Sequence, residues 1–190
     1  ANTQITSLDI PDGVETIEDG AFYGCQITSI YIGASVGVLI DGTFEENPIE
    51  SYEVSDENQY YSSLNGVLFN KDGTILIDYP IGKTETEYIV PEGVMVIETR
   101  AFEYGNIENI SLPNSLTTIK DSAFIGSSLI NLVIPNNVET IGEYAFSQCN
   151  LIWVVLSESL TAISRGAFQY NNISEIIIPS SVIIINSRAF

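Results

Sequence analysis

Apolar residues along this chain recur neither at every second position nor at helical spacing; they return in blocks 22 residues apart. One block reads Leu8-x-Ile10-Pro11-x-x-Val14-x-x-Ile17-x-x-x-Ala21-Phe22, and the same slots later hold Leu132, Ile134, Pro135, Val138, Ile141, Ala145 and Phe146. The pair Ala-Phe recurs at Phe102, Phe124, Phe146, Phe168 and Phe190, and Phe22 and Thr43-Phe44 show the same step. Pro91, Pro113, Pro135 and Pro179 repeat it in another phase, with Ser157 in the remaining slot. Agreement between phases marks a repeat architecture.

Each unit predicts one circuit of a coil, with Leu8-x-Ile10 as a short strand, Pro11-Asp12-Gly13 as a turn and Ala21-Phe22 as the opposite wall. Gly13, Gly93 and Asn137 share a slot where a positive φ is expected, although Ser115, Ser159 and Ser181 also fill it. One such coil cannot enclose its own Ile, Val and Phe side chains. Stacked coils bury them in a column and pair each strand with its counterparts. The expected fold is a β-rich solenoid with a parallel sheet on one wall and short turns or 3-10 segments on the other, a single repeat domain spanning 1–190.

One unit is irregular. Phe44 and Phe102 are 58 residues apart, 36 more than one period, which places an insertion in the unit at about 52–87. Within it, Val67-Leu68-Phe69, Asn70-Lys71-Asp72-Gly73 and Thr74-Ile75-Leu76-Ile77 read as strand, turn and strand, because Asp-Gly between apolar runs signals a hairpin. The repeat phase puts both Ala1 and Phe190 in mid-repeat, so a longer array is expected.

Composition narrows the function. Twenty-five acidic residues against six basic ones leave a net charge of -19, which repels nucleic acid. Residues 1–98 carry -16 of it and residues 99–190 carry -3, a solvated surface that could also draw in a basic partner. The lack of His removes imidazole bases and imidazole-bound metals from the chain. Asn70-x-Asp72-Gly73-x-Ile75 imitates part of a calcium loop, but Leu68 and Tyr79 stand where its main oxygen ligands belong, so neither metal nor cofactor is implied. Cys25 and Cys149 share an inward slot three residues after a Phe. At about 4.8 Å per stacked strand they would lie roughly 24 Å apart, which predicts two free, buried thiols. No apolar run approaches the roughly 20 residues of a membrane helix.

Side-chain alternation sends the residue between the inward strand positions to the outer sheet surface. That row reads Asp9, Tyr31, Glu53, Ile89, Ser111, Val133, Val155 and Ile177, with Trp153 on the same face as Val155. Val133, Val155, Ile177 and Trp153 form the candidate partner-binding strip, and Tyr31 belongs to the same row. Tyr60 and Tyr61, beside Asp56 and Glu57, are a second candidate surface, suited to sugars, whereas Tyr52 and Tyr88 fall in inward slots. Asn109-Ile110-Ser111 and Asn172-Ile173-Ser174 match the glycosylation pattern. Catalysis by a carboxylate pair such as Glu57 and Asp78 ranks last, since a thin solenoid offers an open wall rather than a pocket.

The run Ile-Pro-x-x-Val-x-x-Ile-x-x-x-Ala-Phe, as at Ile134 to Phe146, and the insert Tyr61-Ser62-Ser63-x-x-Gly66-Val67-Leu68-Phe69-Asn70-Lys71-Asp72 resemble the BspA-like branch of the leucine-rich repeat family. The resemblance implies a curved right-handed superhelix, export to the surface of anaerobic or host-associated microbes, and adhesion to host matrix or other cells. It carries over no catalytic residues. The chain departs from the family by favouring Ile over Leu and by keeping Cys only at 25 and 149. The expected function is a non-catalytic cell-surface recognition module that binds a host or microbial surface protein through its sheet face. The alternative is a carbohydrate-binding module using the tyrosines near the irregular unit.

Overall fold

A regular repeat forms a strand of three or four residues and a second of two, joined by turns, and these strands pair in parallel with their counterparts in neighbouring coils. The computed structural model describes residues 3–39 and 42–190; Ala1, from which the N-terminal phase of the repeat is counted, lies outside them. Two compact units result: one reaches to Gly73 and takes in Tyr79–Lys83, and the other comprises Thr74–Asp78 and Thr84–Phe190.

In the first unit lie β1 (Ser7–Ile10), β2 (Thr16–Ile17), β3 (Ser29–Ile32), β4 (Val38–Leu39), β5 (Ser51–Val54), β6 (Tyr61–Leu64) and β7 (Val67–Asn70). Strands β1, β3 and β5 pair in the repeat register, Ser7 to Ser29 to Ser51. Ile10, Ile30, Ile32 and Tyr52 are buried, and the Phe22 and Phe44 rings stack with centroids 5.9 Å apart.

The irregular segment carries the expected strands, at Val67–Asn70 and Ile75–Asp78, and one strand more. The predicted turn is present, with Gly73 N–H donating to the Asn70 carbonyl at 3.0 Å, but an antiparallel hairpin of β6 and β7 precedes it. Leu64 pairs with Val67 across Asn65 and Gly66, whose φ values of 51° and 81° make a primed two-residue turn. This hairpin lies along the edge of β5, where a following coil would otherwise pair: Tyr52 N–H donates to the Gly66 carbonyl (2.9 Å) and Val54 N–H to Ser63 Oγ (3.2 Å). Asn58, fully buried, ties the approach to it, donating to the Gly33 and Val36 carbonyls and accepting from the N–H groups of Tyr60 and Tyr61.

The second unit holds β8 (Ile75–Asp78), β9 (Glu87–Ile89), β10 (Val96–Ile97), β11 (Asn109–Ser111), β12 (Thr118–Ile119), β13 (Asn131–Val133), β14 (Thr140–Ile141), β15 (Trp153–Val155), β16 (Ala162–Ile163) and β17 (Ile184–Ile185). One parallel sheet runs β9-β11-β13-β15 and another β8-β10-β12-β14, while β16 pairs with β17. Phe102, Phe124, Phe146, Phe168 and Phe190 stack face to face, with successive centroids 4.7, 4.9, 5.4 and 5.7 Å apart. The N–H groups of Phe102, Phe124, Phe146 and Phe168 each donate to the carbonyl of the alanine in the next coil, at 2.7 to 2.8 Å. Those alanines are buried, because any larger side chain would hold the coils apart.

Among the described residues no helix forms, so the wall carrying the Phe ladder consists of turns without the 3-10 segments considered from sequence. Gly13 and Gly93 have the expected positive φ, at 100° and 99°. Asn137 does not share it; its amide instead donates to the Asn114 carbonyl at 2.7 Å. Left-handed backbone recurs instead two residues before and two after the repeat Phe, as at Tyr144 and Gln148 around Phe146.

Candidate functional site

Alternation along the strands of the second unit decides which side chains reach solvent. In β15, Val154 is buried whereas Trp153 and Val155 face outward, 49% and 40% exposed. In β13, Leu132 is buried and Val133 is 54% exposed. Val133 is the register partner of Val155, and Ser111 of Ile89. The expected outer row is therefore present here, apolar at Ile89, Val133 and Val155 and broken by Ser111. Ile177 is exposed too, but in a segment that forms no strand.

A second outward row runs beside the first, and the sequence pattern marks two of its members, Trp153 for partner binding and Asn109 as part of a glycosylation match. Glu87 pairs with Asn109, Asn109 with Asn131, and Asn131 with Trp153, and all four are exposed. Their common 22-residue step was the available signal. Asn109, Ser111, Asn114, Asn131 and Val133 line a recess here together with apolar neighbours such as Leu112 and Pro135.

In the first unit Tyr31 lies between Asp9 and Glu53 in register, partly exposed, and Ser29 Oγ contacts Ser7 Oγ at 3.2 Å in the adjoining row. Tyr60 is exposed, with its ring beside Gly37. Tyr61 is engaged in holding the fold, since its hydroxyl accepts from Leu39 N–H (3.2 Å) and donates to the Gly37 carbonyl (3.3 Å), and burial raises its pKa above the ordinary tyrosine value. The two tyrosines thus do not form an exposed pair. Tyr52 and Tyr88 are inward, in ring contact with Phe44 and Phe102 respectively.

Both cysteines are free and buried. Their slot is a hydrogen-bonding position rather than merely a small apolar one. Asn47 and Asn171 fill it with amides that each donate to two Phe carbonyls, from Phe22 and Phe44 in one case and Phe146 and Phe168 in the other. Cys149 Sγ donates to the Phe124 carbonyl at 3.1 Å and contacts Ser127 Oγ at 3.3 Å. Among the described residues no group of three or more Cys, Asp or Glu side chains is placed to hold a metal ion.

Coils closed by a parallel strand on one side and a Phe ladder on the other, with Asn47, Cys149 and Asn171 each bonded to the Phe carbonyl of the preceding coil, define a leucine-rich repeat protein. The chain belongs to the BspA type leucine-rich repeat family, whose region matches in six copies over residues 1–71 and 83–190. Among solved structures it is similar to a leucine-rich repeat protein from Eubacterium ventriosum, with 27% identity and a TM-score of 0.71 over 96% of this chain and 63% of that one. The pneumococcal vaccine antigen PcpA shares the fold at 20% identity and a TM-score of 0.57, over 98% of this chain and 64% of that one. A leucine-rich cell surface protein from Faecalibacterium prausnitzii shares it at 23% identity and a TM-score of 0.59, over 98% and 51%. The chain thus spans less than two thirds of each of these proteins. No curated protein matches it.

Proposed function

We propose that this chain is a non-catalytic recognition module of a cell-surface protein, which adheres to a host or microbial surface molecule through the outer face of β9, β11, β13 and β15. The observation that carries the reading is the exposure of Trp153, Val155 and Val133 on one face while their strand neighbours Val154 and Leu132 are buried. Folding gains nothing from holding these side chains in water, whereas binding would remove them from it. Family membership and the similarity to the F. prausnitzii cell surface protein support a surface location. Among the described residues no helix is long and apolar enough to cross a membrane. The tyrosines near the hairpin give weaker support for a site, because Tyr61 is engaged within the fold.

Val155→Asp tests the assignment. The side chain points outward, so thermal unfolding should shift by no more than the equivalent of about 0.5 kcal/mol, while adherence to host or microbial surfaces is lost. Adherence that survives the substitution moves the binding face elsewhere, and a large drop in stability places Val155 in the core.

A further inference from the structure

We infer that the ligand of this face is a neutral pyranose oligosaccharide lying across the strands, with one sugar ring on Trp153 and the hydroxyls of its neighbours on Asn131 and Asn109. The inference rests on the recognition reading above and names the class of its ligand. A half-exposed indole offers a flat apolar surface that matches the C–H face of a sugar ring. Beside it in register stand two primary amides, each able to donate and accept at once, which is what a hydroxyl requires of its partner. Adjacent strands are about 4.8 Å apart, close to the length of one pyranose ring, so Trp153, Asn131 and Asn109 meet successive sugars. A recess lined by Asn109, Ser111 and Asn131 together with the apolar Leu112, Val133 and Pro135 adjoins the amide row and leaves room for an extended glycan.

Charge selects the same ligand. The outward residues of β9, β11, β13 and β15 are Glu87, Ile89, Asn109, Ser111, Asn131, Val133, Trp153 and Val155, with one carboxylate and no cation. In a chain of net charge -19 this face is nearly neutral. A basic protein would be drawn to the acidic residues 1–98 instead, and an acidic glycan would meet repulsion with no Lys or Arg on the face to offset it. A neutral polyhydroxylated chain incurs neither cost.

The experiment sets the 190-residue chain against an array of neutral plant, microbial and host glycans, together with charged glycans and deglycosylated matrix proteins. Trp153→Ala, the double variant Asn109→Ala/Asn131→Ala, and Tyr170→Ala as an exposed aromatic control are run in parallel, with circular dichroism melts to verify folding. The expected result is binding to neutral glycans that is insensitive to salt, falls at least about tenfold in each face variant and is unchanged in Tyr170→Ala. Binding to deglycosylated protein that is lost in Trp153→Ala, without glycan binding, overturns the sugar assignment and leaves the recognition face standing. Capture of charged glycans alone, reversed by salt, also overturns it. Absence of binding to any probe, or binding indifferent to the face variants, overturns both readings.

Discussion

The slot three residues after each Phe shows how one position can be filled by Cys, Asn, Ser or Gly and still serve the same coil. Asn47 satisfies two Phe carbonyls with its amide and the Ile27 N–H with its carbonyl oxygen. Cys149 does part of this with a single donor, and burial pushes its thiol up to about 11 from the ordinary 9.0, the bonds to Ser127 offsetting only some of the rise. Stability should follow. Above pH 9 the unfolded chain loses the Cys149 proton while the folded chain keeps it, so the thiol's contribution is intact below pH 9 and is lost as pH rises toward 11. The loss is on the order of 2 kcal/mol. Cys149→Ser keeps the donor but does not ionise, so urea midpoints of the variant should fall less between pH 8 and 11 (roughly the titration range of a thiol) than those of the parent. Parallel curves would show that the thiol titrates freely. From sequence this slot read as small and inward, which it is; its hydrogen bonds involve carbonyls of neighbouring coils, and composition does not reveal which carbonyls lack a partner.

Among the elements, the Phe ladder and the β6–β7 hairpin depend on their neighbours in different ways. Phe146 is fully buried between the rings of Phe124 and Phe168. Phe146→Ala opens a cavity that rigid coils cannot close, and urea unfolding should register a loss of about 3 to 5 kcal/mol; Phe146→Leu should cost clearly less. In the hairpin turn, Gly66 combines a φ of 81° with an approach that would set an added Cβ 3.1 Å from Ser51 Cβ. Gly66→Ala should therefore lose about 1 to 3 kcal/mol, whereas substitution of an exposed residue such as Gln59 should lose almost nothing. The ladder was legible because its period repeats. The expected strands at Val67–Asn70 and Ile75–Asp78 and the turn between them are present, whereas β6 was not legible because Tyr61-Ser62-Ser63-Leu64 has no apolar run to announce a strand. What makes it one is pairing with Val67–Asn70 and contact with the edge of β5.

Over the whole molecule, charge sets the electrostatic balance. Some carboxylates have a local purpose: Asp12, Glu92 and Asp121 accept from the N–H groups of Ala34, Asn114 and Glu143, each one coil further on. Lys120 pairs with Glu98 at 2.6 Å. Six cations cannot neutralise twenty-five acids, so self-repulsion works against the compact state. Raising NaCl to about 0.5 M shortens the Debye length to a few ångströms, and the thermal midpoint should rise relative to low salt. A midpoint that falls or stays level would mean that the acidic surface costs the fold nothing.

The repeated pattern by itself determined the coil, the inward column and the outward rows, because a repeated slot faces the same way in every turn and 22-residue spacing states the register directly. Even the amide row at Asn109 and Asn131 was written in that spacing beside Trp153. Tertiary structure alone decided where the insertion pairs, why Tyr61 is withdrawn from the surface, and how the third slot after Phe satisfies its neighbours. Each of these rests on a backbone group left open by a particular edge or turn. Such vacancies exist only once the chain has folded around them.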